Sequence, residues 1–431
     1  MKWAMKRLVF AALLASFAAA CGDGTGRVTI VTGDPPALIV YGDETSTEWK
    51  TPASAGDGKF EIEVTGPYRV VVVCGGSGRS VLVTQYARTP ADARLIEHTC
   101  AKREYPFHLR GEMLQESEVA FGDFTRGQNP GPWSFDLPAA VGTFDFVGFF
   151  GSLSTGFDQI EIRRDLAITG DVQLGTIDVA QEHTEALVPT RFTAANLDPD
   201  EELWSHQQLQ SGNTSAGLVS FFHPALAWEI RLVPDAALRT TDGQHVLLMA
   251  TRSTSSEPAQ QRARSVSRRV RVGGPTSVTL MDPLTAIAFD STAERFTATW
   301  TSLPAYDELD LSRVTFFSDF PHVVVHESLF SPAFIASVGA TSSTLDFTDV
   351  PGFRPEWRHD PTFDQVISLH AFRGASDDDS ESSGVSKELM AAPPAGLGSA
   401  RRRIDARQVF AVADAQRADA RRRRTAHPGK R

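Results

Sequence analysis

Long apolar runs are almost absent from this chain of 431 residues. The longest, residues 8–20, is interrupted only by Ser16 and is shorter than the ~20 apolar residues that a membrane-spanning helix needs. No later run reaches that length. The sequence therefore excludes a transmembrane helix after this segment, and an attachment to a membrane would have to be made in another way.

The short motifs that identify common catalytic sites are also missing. No His-Glu-x-x-His occurs, so a zinc-hydrolase helix is not predicted. Ser77 and Ser154 stand in glycine-rich turns but miss the Gly-x-Ser-x-Gly spacing of a serine hydrolase. No Gly-Lys-Ser/Thr follows the glycines at 75–78 to form a phosphate loop. The sequence therefore identifies no catalytic residue and no cofactor.

His322 and His326 are spaced i, i+4, which on a helix would place two metal ligands on one face. The three valines between them favour a strand instead, in which four residues span about 13 Å. Two imidazoles that far apart cannot share an ion at ~2.0 Å. We expect no metal site at these residues or elsewhere in the chain.

Acidic residues are dense in two stretches, LDPDEELW and YDELD. They offer too many carboxylates to single out the facing pair of a glycosidase, and neither has the Asp-x-Asp-x-Asp-Gly spacing of a calcium loop. Solvated acidic turns are the favoured interpretation. The residues concerned are Asp198, Asp200, Glu201, Glu202, Asp307, Glu308 and Asp310.

The clearest feature that is present is an export signal at residues 1–20. A short basic start precedes the apolar run, and small residues end it, as in a secretory signal peptide. The basic residues are Lys2, Lys6 and Arg7.

The end of this signal, Ala18-Ala19-Ala20-Cys21, resembles the lipobox of bacterial lipoproteins. The resemblance implies that Cys21 carries a lipid anchor with acyl chains such as palmitate and becomes the new N-terminus. Gly22 stands where an Asp would retain the protein in the inner membrane, so the resemblance favours the outer membrane, with either its periplasmic or its surface face. The alternative is an ordinary signal cut near Ala20, with Cys21 incidental.

Beyond Cys21 the chain has two cysteines, Cys74 and Cys100, and each ends a strand-like run. Oxidation is available to an exported protein, so we expect a Cys74–Cys100 disulfide. The alternative is a pair of buried free cysteines that behave as small apolar residues.

The net charge of −11 hides an asymmetry. Residues 396–431 carry a net +8 and the signal +3, which leaves −22 on residues 21–395. A body this acidic does not attract nucleic acid through bulk charge, so no nucleic-acid partner is expected. The acidic, serine-rich and then basic composition of residues 375–431 predicts a disordered linker and tail, with a basic arm for the polyanionic cell surface as the alternative.

The rest of the chain predicts an all-β fold of tandem antiparallel β-sandwich domains. Short alternating runs of β-branched and aromatic residues are broken by Gly, Pro and Asp, and no segment is long enough for a parallel-sheet crossover helix. The stretch QQRARSVSRRVRV is predicted as a strand with a basic outward face. The expected domains, called units 1 to 4 below, are residues 21–104, 105–184, 185–275 (β-rich) and 276–374.

Units 1 and 2 share a faint sequence echo. KFEIEVTGPYRVVVV and WSFDLPAAVGTFDFVGF each have an alternating strand, a glycine-marked turn and an aromatic-led strand. The echo favours two related modules in tandem. The alternative is that all antiparallel hairpins look similar.

The same region is similar to uncharacterised bacterial lipoproteins with tandem β modules near the anchor. The residues that carry this resemblance are Tyr41-Gly42-Asp43 with Trp49, then Tyr68-Arg69-Val70-Val71-Val72-Val73-Cys74 with Cys100. Arg163-Arg164-Asp165-Leu166 and Thr176-Ile177-Asp178 resemble transthyretin-like accessory sandwiches. The resemblance covers at most residues 25–185 and implies architecture but no activity.

Three functions stay open. The first is a non-catalytic structural or interaction role in the cell envelope, with an envelope protein or a glycan as partner. The second is a carbohydrate- or ligand-binding surface lipoprotein, which an exposed row of Trp and Tyr would favour, although Trp133 and Trp300 stand beside strands where core packing is usual. The third is a hydrolase without a recognisable motif, which a deep pocket with perturbed acids or histidines would favour.

Overall fold

A computed structural model describes residues 26–391, apart from the following gaps: 45–47, 76–79, 93, 99, 101–103, 123, 129–130, 153–155, 181–182, 200, 218–220, 224–226, 254–259, 283, 285–286, 292–295, 304, 317–322, 359–363 and 374–380. The predicted signal peptide, Cys21 and the basic tail from residue 392 lie outside the described residues. Within the described part, no helix has the length and apolarity to cross a membrane.

The described residues are nearly all β, which confirms the predicted fold class. The strands of the first half are β1 (Gly26–Val31), β2 (Leu38–Asp43), β3 (Ala53–Gly56), β4 (Lys59–Val64), β5 (Tyr68–Gly75), β6 (Ser80–Arg88), β7 (Leu95–Glu97), β8 (Phe107–Met113), β9 (Ser117–Phe121), β10 (Phe124–Gln128), β11 (Trp133–Ala139), β12 (Gly142–Ser152), β13 (Gly156–Ile168), β14 (Val172–Ile177) and β15 (Glu185–Ala186).

The second half adds further strands and little helix. The strands are β16 (Val188–Ala195), β17 (Glu202–Ser211), β18 (Thr214–Gly217), β19 (Phe221–His223), β20 (Ala227–Leu232), β21 (Gly243–Ser253), β22 (Gln260–Val270), β23 (Ser277–Thr279), β24 (Ile287–Ser291), β25 (Phe296–Trp300), β26 (Glu308–Phe316), β27 (Val323–Phe330), β28 (Ser342–Leu345), β29 (Asp364–Arg373) and β30 (Glu381–Ala391). The helix α1 is Pro332–Val338, and single 3₁₀ turns lie at Asp235–Ala237 and Pro355–Trp357.

Units 1 to 3 repeat one sandwich topology along the chain. In units 1 and 2 the first strand lies inside a small sheet, antiparallel to one neighbour and parallel to the last strand, in the orders β4-β1-β7 and β11-β8-β14. In unit 3, β16 takes this place in the order β20-β16-β23, and β23 lies just beyond the predicted end of the unit at residue 275. The opposite sheets contain the antiparallel sets β2-β5-β6, β9-β12-β13 and β17-β21-β22. Unit 4 differs, because its small sheet β24-β25-β28 is wholly antiparallel; the opposite sheet contains β26 and β29, followed by β30 beyond the predicted end of the unit at residue 374.

The sequence echo falls on equivalent strands of units 1 and 2, β4–β5 and β11–β12. The two strands of each pair are not hairpin partners, because β4 and β11 lie in the small sheets while β5 and β12 lie in the opposite sheets. The echo therefore marks a crossing between sheets rather than a generic hairpin.

One sheet runs through units 1, 3 and 4. Its order is β18-β17-β21-β22-β30-β29-β26-β27-β6-β5-β2, with β19 beside β17. Parallel pairing of β27 with β6 joins unit 4 to unit 1, and antiparallel pairing of β22 with β30 joins unit 3 to unit 4. The boundaries between units stay a prediction, since the pairing of β13 with β15 and of β16 with β23 crosses two of them.

Strand β30 corrects the prediction that the chain is a linker from residue 375 onward. Its backbone pairs on both sides, with β22 and with β29. The acidic, serine-rich composition indicated disorder, but two strand edges flank this segment and satisfy its amides and carbonyls.

Each sandwich has its own apolar core, and strand β5 shows why its sequence is an almost continuous run of valines. Val70 and Val72 face the core of unit 1, whereas Val71 and Val73 face the core that unit 4 shares with unit 1. Both faces of β5 are therefore buried, and a strand covered on both faces needs apolar residues at every position.

Candidate functional site

A network of charged side chains around two buried carboxylates lies between units 2 and 3. We call it the junction cluster, and it consists of Asp145, Arg164, Asp165, Ser211, Arg239 and Asp242. The first three stand on β12 and β13 of unit 2, and the others belong to unit 3. Residues distant in sequence thus meet across one interface.

A β-bulge aims the unit 2 residues into this cluster. The register of β12 and β13 shifts between Phe144 and Phe146, so that Asp145 faces the two residues Arg164 and Asp165. Asp165 has a φ of 58°, the left-handed conformation that such a bulge uses. As a result the Asp165 amide donates to Asp145 Oδ1 at 2.9 Å.

Asp145 is buried, with 1% of its surface exposed, and its carboxylate is fully hydrogen-bonded. Besides the Asp165 amide, Oδ1 accepts from Arg239 Nη2 at 3.0 Å. Oδ2 accepts from Arg164 Nη1 at 2.9 Å and from Ser211 Oγ at 2.8 Å. An ionised carboxylate has about four acceptor positions, so no position is left for a proton or a substrate.

Arg164 is the link that crosses the junction. Its Nη1 also donates to Asp242 Oδ2 at 2.8 Å, and its Nη2 donates to the carbonyl of Ala237 at 2.5 Å. Asp242 in turn accepts from the amides of Gly212 at 3.2 Å and Arg239 at 2.9 Å. The two carboxylates and the guanidinium therefore fix the turns that face unit 2.

The electrostatics favour the ionised form of Asp145. Burial raises the pKa of Asp145, but the Asp165 amide, Ser211, Arg164 and Arg239 together outweigh burial and lower the pKa below its usual value. This carboxylate is poised to stay charged, which suits a structural ion pair and does not suit a general acid.

An apolar core surrounds the cluster and completes the interface. Phe149 and Val147 of β12 and Ala120 of β9 pack with Leu209 and Val233 of unit 3. The outer face of the unit 2 sheet is therefore buried against unit 3, while its inner face covers the unit 2 core.

Glu118 on β9 is a second buried acid on this sheet. Burial raises its pKa to about 8, and its Oε1 lies without a hydrogen-bond partner among the described residues. It is protonated at neutral pH, and its row on the sheet also holds Phe149 and Ile160. Sequence analysis did not identify Glu118, because an acidic residue in a short strand belongs to no recognisable motif.

Two acidic stretches predicted as solvated turns contain buried acids, so that prediction is wrong for them. Glu201 is buried, and Arg264 Nε donates to its Oε1 at 2.9 Å. Asp310 is also buried, and Glu308 accepts from Arg88 Nη2 at 2.8 Å.

The predicted strand β22 is present, but the prediction of a basic outward face is wrong at Arg264, which points inward. Arg264 shares the face of Val266 and Val270, which lie in the unit 3 core, and it is fully buried. Alternate residues of a strand lie on the same face, so Arg264, Val266 and Val270 share one face. This spacing could have predicted the burial of Arg264 from the sequence.

The predicted Cys74–Cys100 disulfide is present, with the Cα atoms 5.0 Å apart. Cys74 ends β5 in one sheet of unit 1, and Cys100 follows β7 in the other, so the bridge crosses the sandwich. His98 lies beside it, with Nε2 3.0 Å from Cys74 Sγ and Nδ1 2.9 Å from the Tyr86 hydroxyl. Burial lowers the pKa of His98 and outweighs the effect of Glu327, which raises it.

The sequence analysis missed His98, although His98 and Cys100 are two residues apart and therefore point to one face of an extended chain. His326 lies elsewhere, buried in unit 4, where its Nε2 lies 2.6 Å from the carbonyl oxygen of Trp357. Burial lowers its pKa to about 4. His322 lies outside the described residues, so the predicted absence of a shared metal stays a prediction.

Aromatic side chains pack inward. Trp133 and Trp300 are buried, as their strand context favoured, and so are Trp228 and Trp357. Trp49 is half-buried against the unit 4 core. Among the tryptophans and tyrosines whose side chains the structure describes, none is exposed, so they form no stacking platform for a sugar.

No protein-family model matches the sequence, and no curated protein matches it. Among solved structures, the chain is similar to the crystal structure of the chicken CNTN1 FN1-FN3 domains, with 7% sequence identity. The match covers 65% of this chain and 91% of that chain at a TM-score of 0.17. A likeness at that score carries no argument about relationship or function.

Proposed function

We propose that this chain is a lipid-anchored protein of the bacterial cell envelope whose body acts, without catalysis, as a rigid spacer and interaction surface. The observation that carries this proposal is the junction cluster. Its central carboxylate, Asp145, uses all its acceptor positions on groups of units 2 and 3. Such a cluster holds two sandwiches in one orientation and offers nothing to a substrate.

The pairing between the other units supports the same role. Units 1, 3 and 4 share a continuous sheet, so bending between them would break backbone hydrogen bonds. A chain of sandwiches joined by buried ion pairs and shared strands resists bending, which is what a spacer requires.

The proposed location in the cell rests on the first 21 residues. In this proposal the signal at 1–20 is removed, Cys21 carries the lipid, and Gly22 directs the protein to the outer membrane. The acidic body then keeps clear of anionic lipid and meets an envelope protein or a glycan. The proposal includes the resemblance of the sequence to bacterial lipoproteins with tandem, transthyretin-like modules.

Metabolic labelling tests the lipid anchor and the proposed location directly. The full chain and its Cys21→Ala variant are expressed in a bacterial host with labelled palmitate, and the membranes are fractionated. We expect label and outer-membrane sedimentation for the wild type, and neither for Cys21→Ala. Equal labelling of both proteins would contradict the lipid anchor.

The interaction role has its own test. A photo-crosslinking residue replaces the exposed Gln173 or Glu229 in cells that express the anchored chain. We expect a discrete crosslinked envelope protein or glycan with the anchored chain and a weaker product with Cys21→Ala. Conversion of a small-molecule substrate by the purified chain, with no crosslinked product, would favour the hydrolase hypothesis instead.

A further inference from the structure

Three potential metal ligands converge in unit 1. The Cys74 and Cys100 sulfurs and a ring nitrogen of His98 all lie within 4.8 Å of one another. A site with metal–sulfur bonds of about 2.3 Å and metal–nitrogen bonds of about 2.0 Å places its ligand atoms about 4 Å apart. Once the two sulfurs are no longer bonded to each other, this spacing suits one metal ion.

The backbone holds the three side chains in place. His98 N donates to the Val31 carbonyl at 2.7 Å, and Cys100 N donates to the Thr32 carbonyl at 2.8 Å. These two bonds continue the parallel pairing of β7 with β1, so His98 and Cys100 face inward together. Cys74 is fixed in β5 on the opposite sheet.

Tyr86 allows His98 to act in either of two hydrogen-bonding states. A disulfide sulfur carries no proton, so in the oxidised protein the Nε2–H of His98 donates to Cys74 Sγ, and the Tyr86 hydroxyl donates to Nδ1. A hydroxyl can also accept. The Tyr86 oxygen can therefore accept a hydrogen bond from Nδ1–H, which leaves the Nε2 lone pair free to bind a metal.

We propose that unit 1 carries a redox-controlled site for a thiophilic cation, Zn²⁺ or Cu⁺, made of Cys74, His98 and Cys100. A dithiol reductant supplies two electrons and two protons to the disulfide, which becomes two thiols while the reductant becomes a disulfide. The cation then displaces the two thiol protons and binds both thiolates and His98 Nε2. Soft thiolates with one imidazole are ligands that both ions accept, and water completes a tetrahedral zinc site.

The test uses the full chain with Cys21→Ala in every sample, so that Cys74 and Cys100 are its only thiols. The reduced protein is titrated without oxygen with Zn²⁺ or Cu⁺ against a competing chelator, and Co²⁺ gives a thiolate charge-transfer band at the zinc site. We expect about one ion per reduced chain and protection of both cysteines from alkylation, and no binding by the oxidised chain. The arm that saturates at one ion per chain with both cysteines protected identifies an ion that the site accepts.

Matched variants separate the site from general histidine binding. His98→Ala should abolish competition with the chelator, and Tyr86→Phe should weaken the affinity about 10–100-fold. His108→Ala, which removes an exposed histidine bonded to Asp136, should leave the affinity unchanged. Equal binding by His98→Ala and the parent chain would overturn the proposal.

A measurement on the parent chain needs no folded variant. The ring nitrogens of His98 are followed by ¹⁵N NMR as metal is added to the reduced protein. A shift of Nε2 to a metal-bound position, with Nδ1 protonated, supports the site. No change in His98 at full metal loading, or no loading at all, contradicts it.

Discussion

Arg164 of unit 2 and Asp242 of unit 3 form an ion pair of 2.8 Å, and the Asp242 side chain is completely shielded from solvent. Both residues also belong to the junction cluster around Asp145, so the pair connects two sandwiches that are formed by different parts of the sequence. Burial makes this contact unlike the exposed ion pairs of the same protein.

Arg164→Ala should destabilise the chain strongly. It leaves two buried carboxylates, Asp145 and Asp242, without their shared guanidinium, and breaking a buried pair costs about 3–5 kcal/mol. Denaturant unfolding measures this loss. The matched control is Arg110→Ala, which removes exposed pairs with Asp136 and Asp171 and should lower the free energy of unfolding far less, because solvent screens those charges. Similar losses for both variants would show that the junction is not a tight contact.

Glu118 should make stability fall with rising pH. Its pKa is about 8 in the folded chain, because of burial, and 4.5 as a model value for the unfolded chain. The unfolded state therefore loses its proton first, so stability is complete below pH ~4.5 and declines until pH ~8, by an amount on the order of 5 kcal/mol at most. Glu118→Gln should remove this decline.

The check for Glu118 is the free energy of unfolding of wild type and Glu118→Gln from pH 5 to pH 9. The difference should grow in favour of the variant up to about pH 8 and then stay constant. Glu63→Gln, at an exposed position of β4, should track the wild type. A constant difference for Glu118→Gln across this range would mean that Glu118 is already ionised in the folded chain.

The disulfide between Cys74 and Cys100 should contribute to the stability of unit 1. It closes a loop with a sequence separation of 26 residues, for which loop-closure entropy gives roughly 3–4 kcal/mol. Alkylation and mass spectrometry should find both cysteines unlabelled until a reductant is added to the denatured protein. Full labelling without reductant would exclude the bridge.

Strand β30 should be needed for the shared sheet. Truncation after Gly374 removes the strand that pairs with both β22 and β29, and should lower the melting temperature by several degrees. Truncation after Ala391 keeps every described pairing and should leave the melting temperature unchanged. Equal melting temperatures for both truncations would restore the prediction of a dispensable linker from residue 375.

Much of the fold could be predicted from the sequence, because the burial of a sandwich strand is visible in its local pattern of apolar and polar residues. The alternation of β11, with Trp133, Phe135 and Leu137 buried, and the valine run of β5 are both visible without a structure. The disulfide followed from two cysteines in a chain that the sequence predicts to be exported. Composition failed at β30, because its strand form depends on pairing with β29 and with β22, and β22 is far away in the sequence.

The junction cluster could not be predicted for the same reason. Asp145, Arg164 and Asp242 become neighbours only when two units dock, and each alone is an ordinary charged residue beside a turn. Arg264 is different, since its spacing from Val266 and Val270 already placed it on the core face. His98 likewise had a local signal in its spacing from Cys100.

The rigidity of the junction can be measured directly by the distance between two spin labels, one on Gln173→Cys of unit 2 and one on Glu229→Cys of unit 3. Both positions are exposed strand residues, and labelling without reductant in a Cys21→Ala chain spares the disulfide. Pulsed electron spin resonance should give one narrow distance distribution, which broadens when Arg164→Ala is added. A broad distribution in the chain with the intact junction would contradict a rigid spacer.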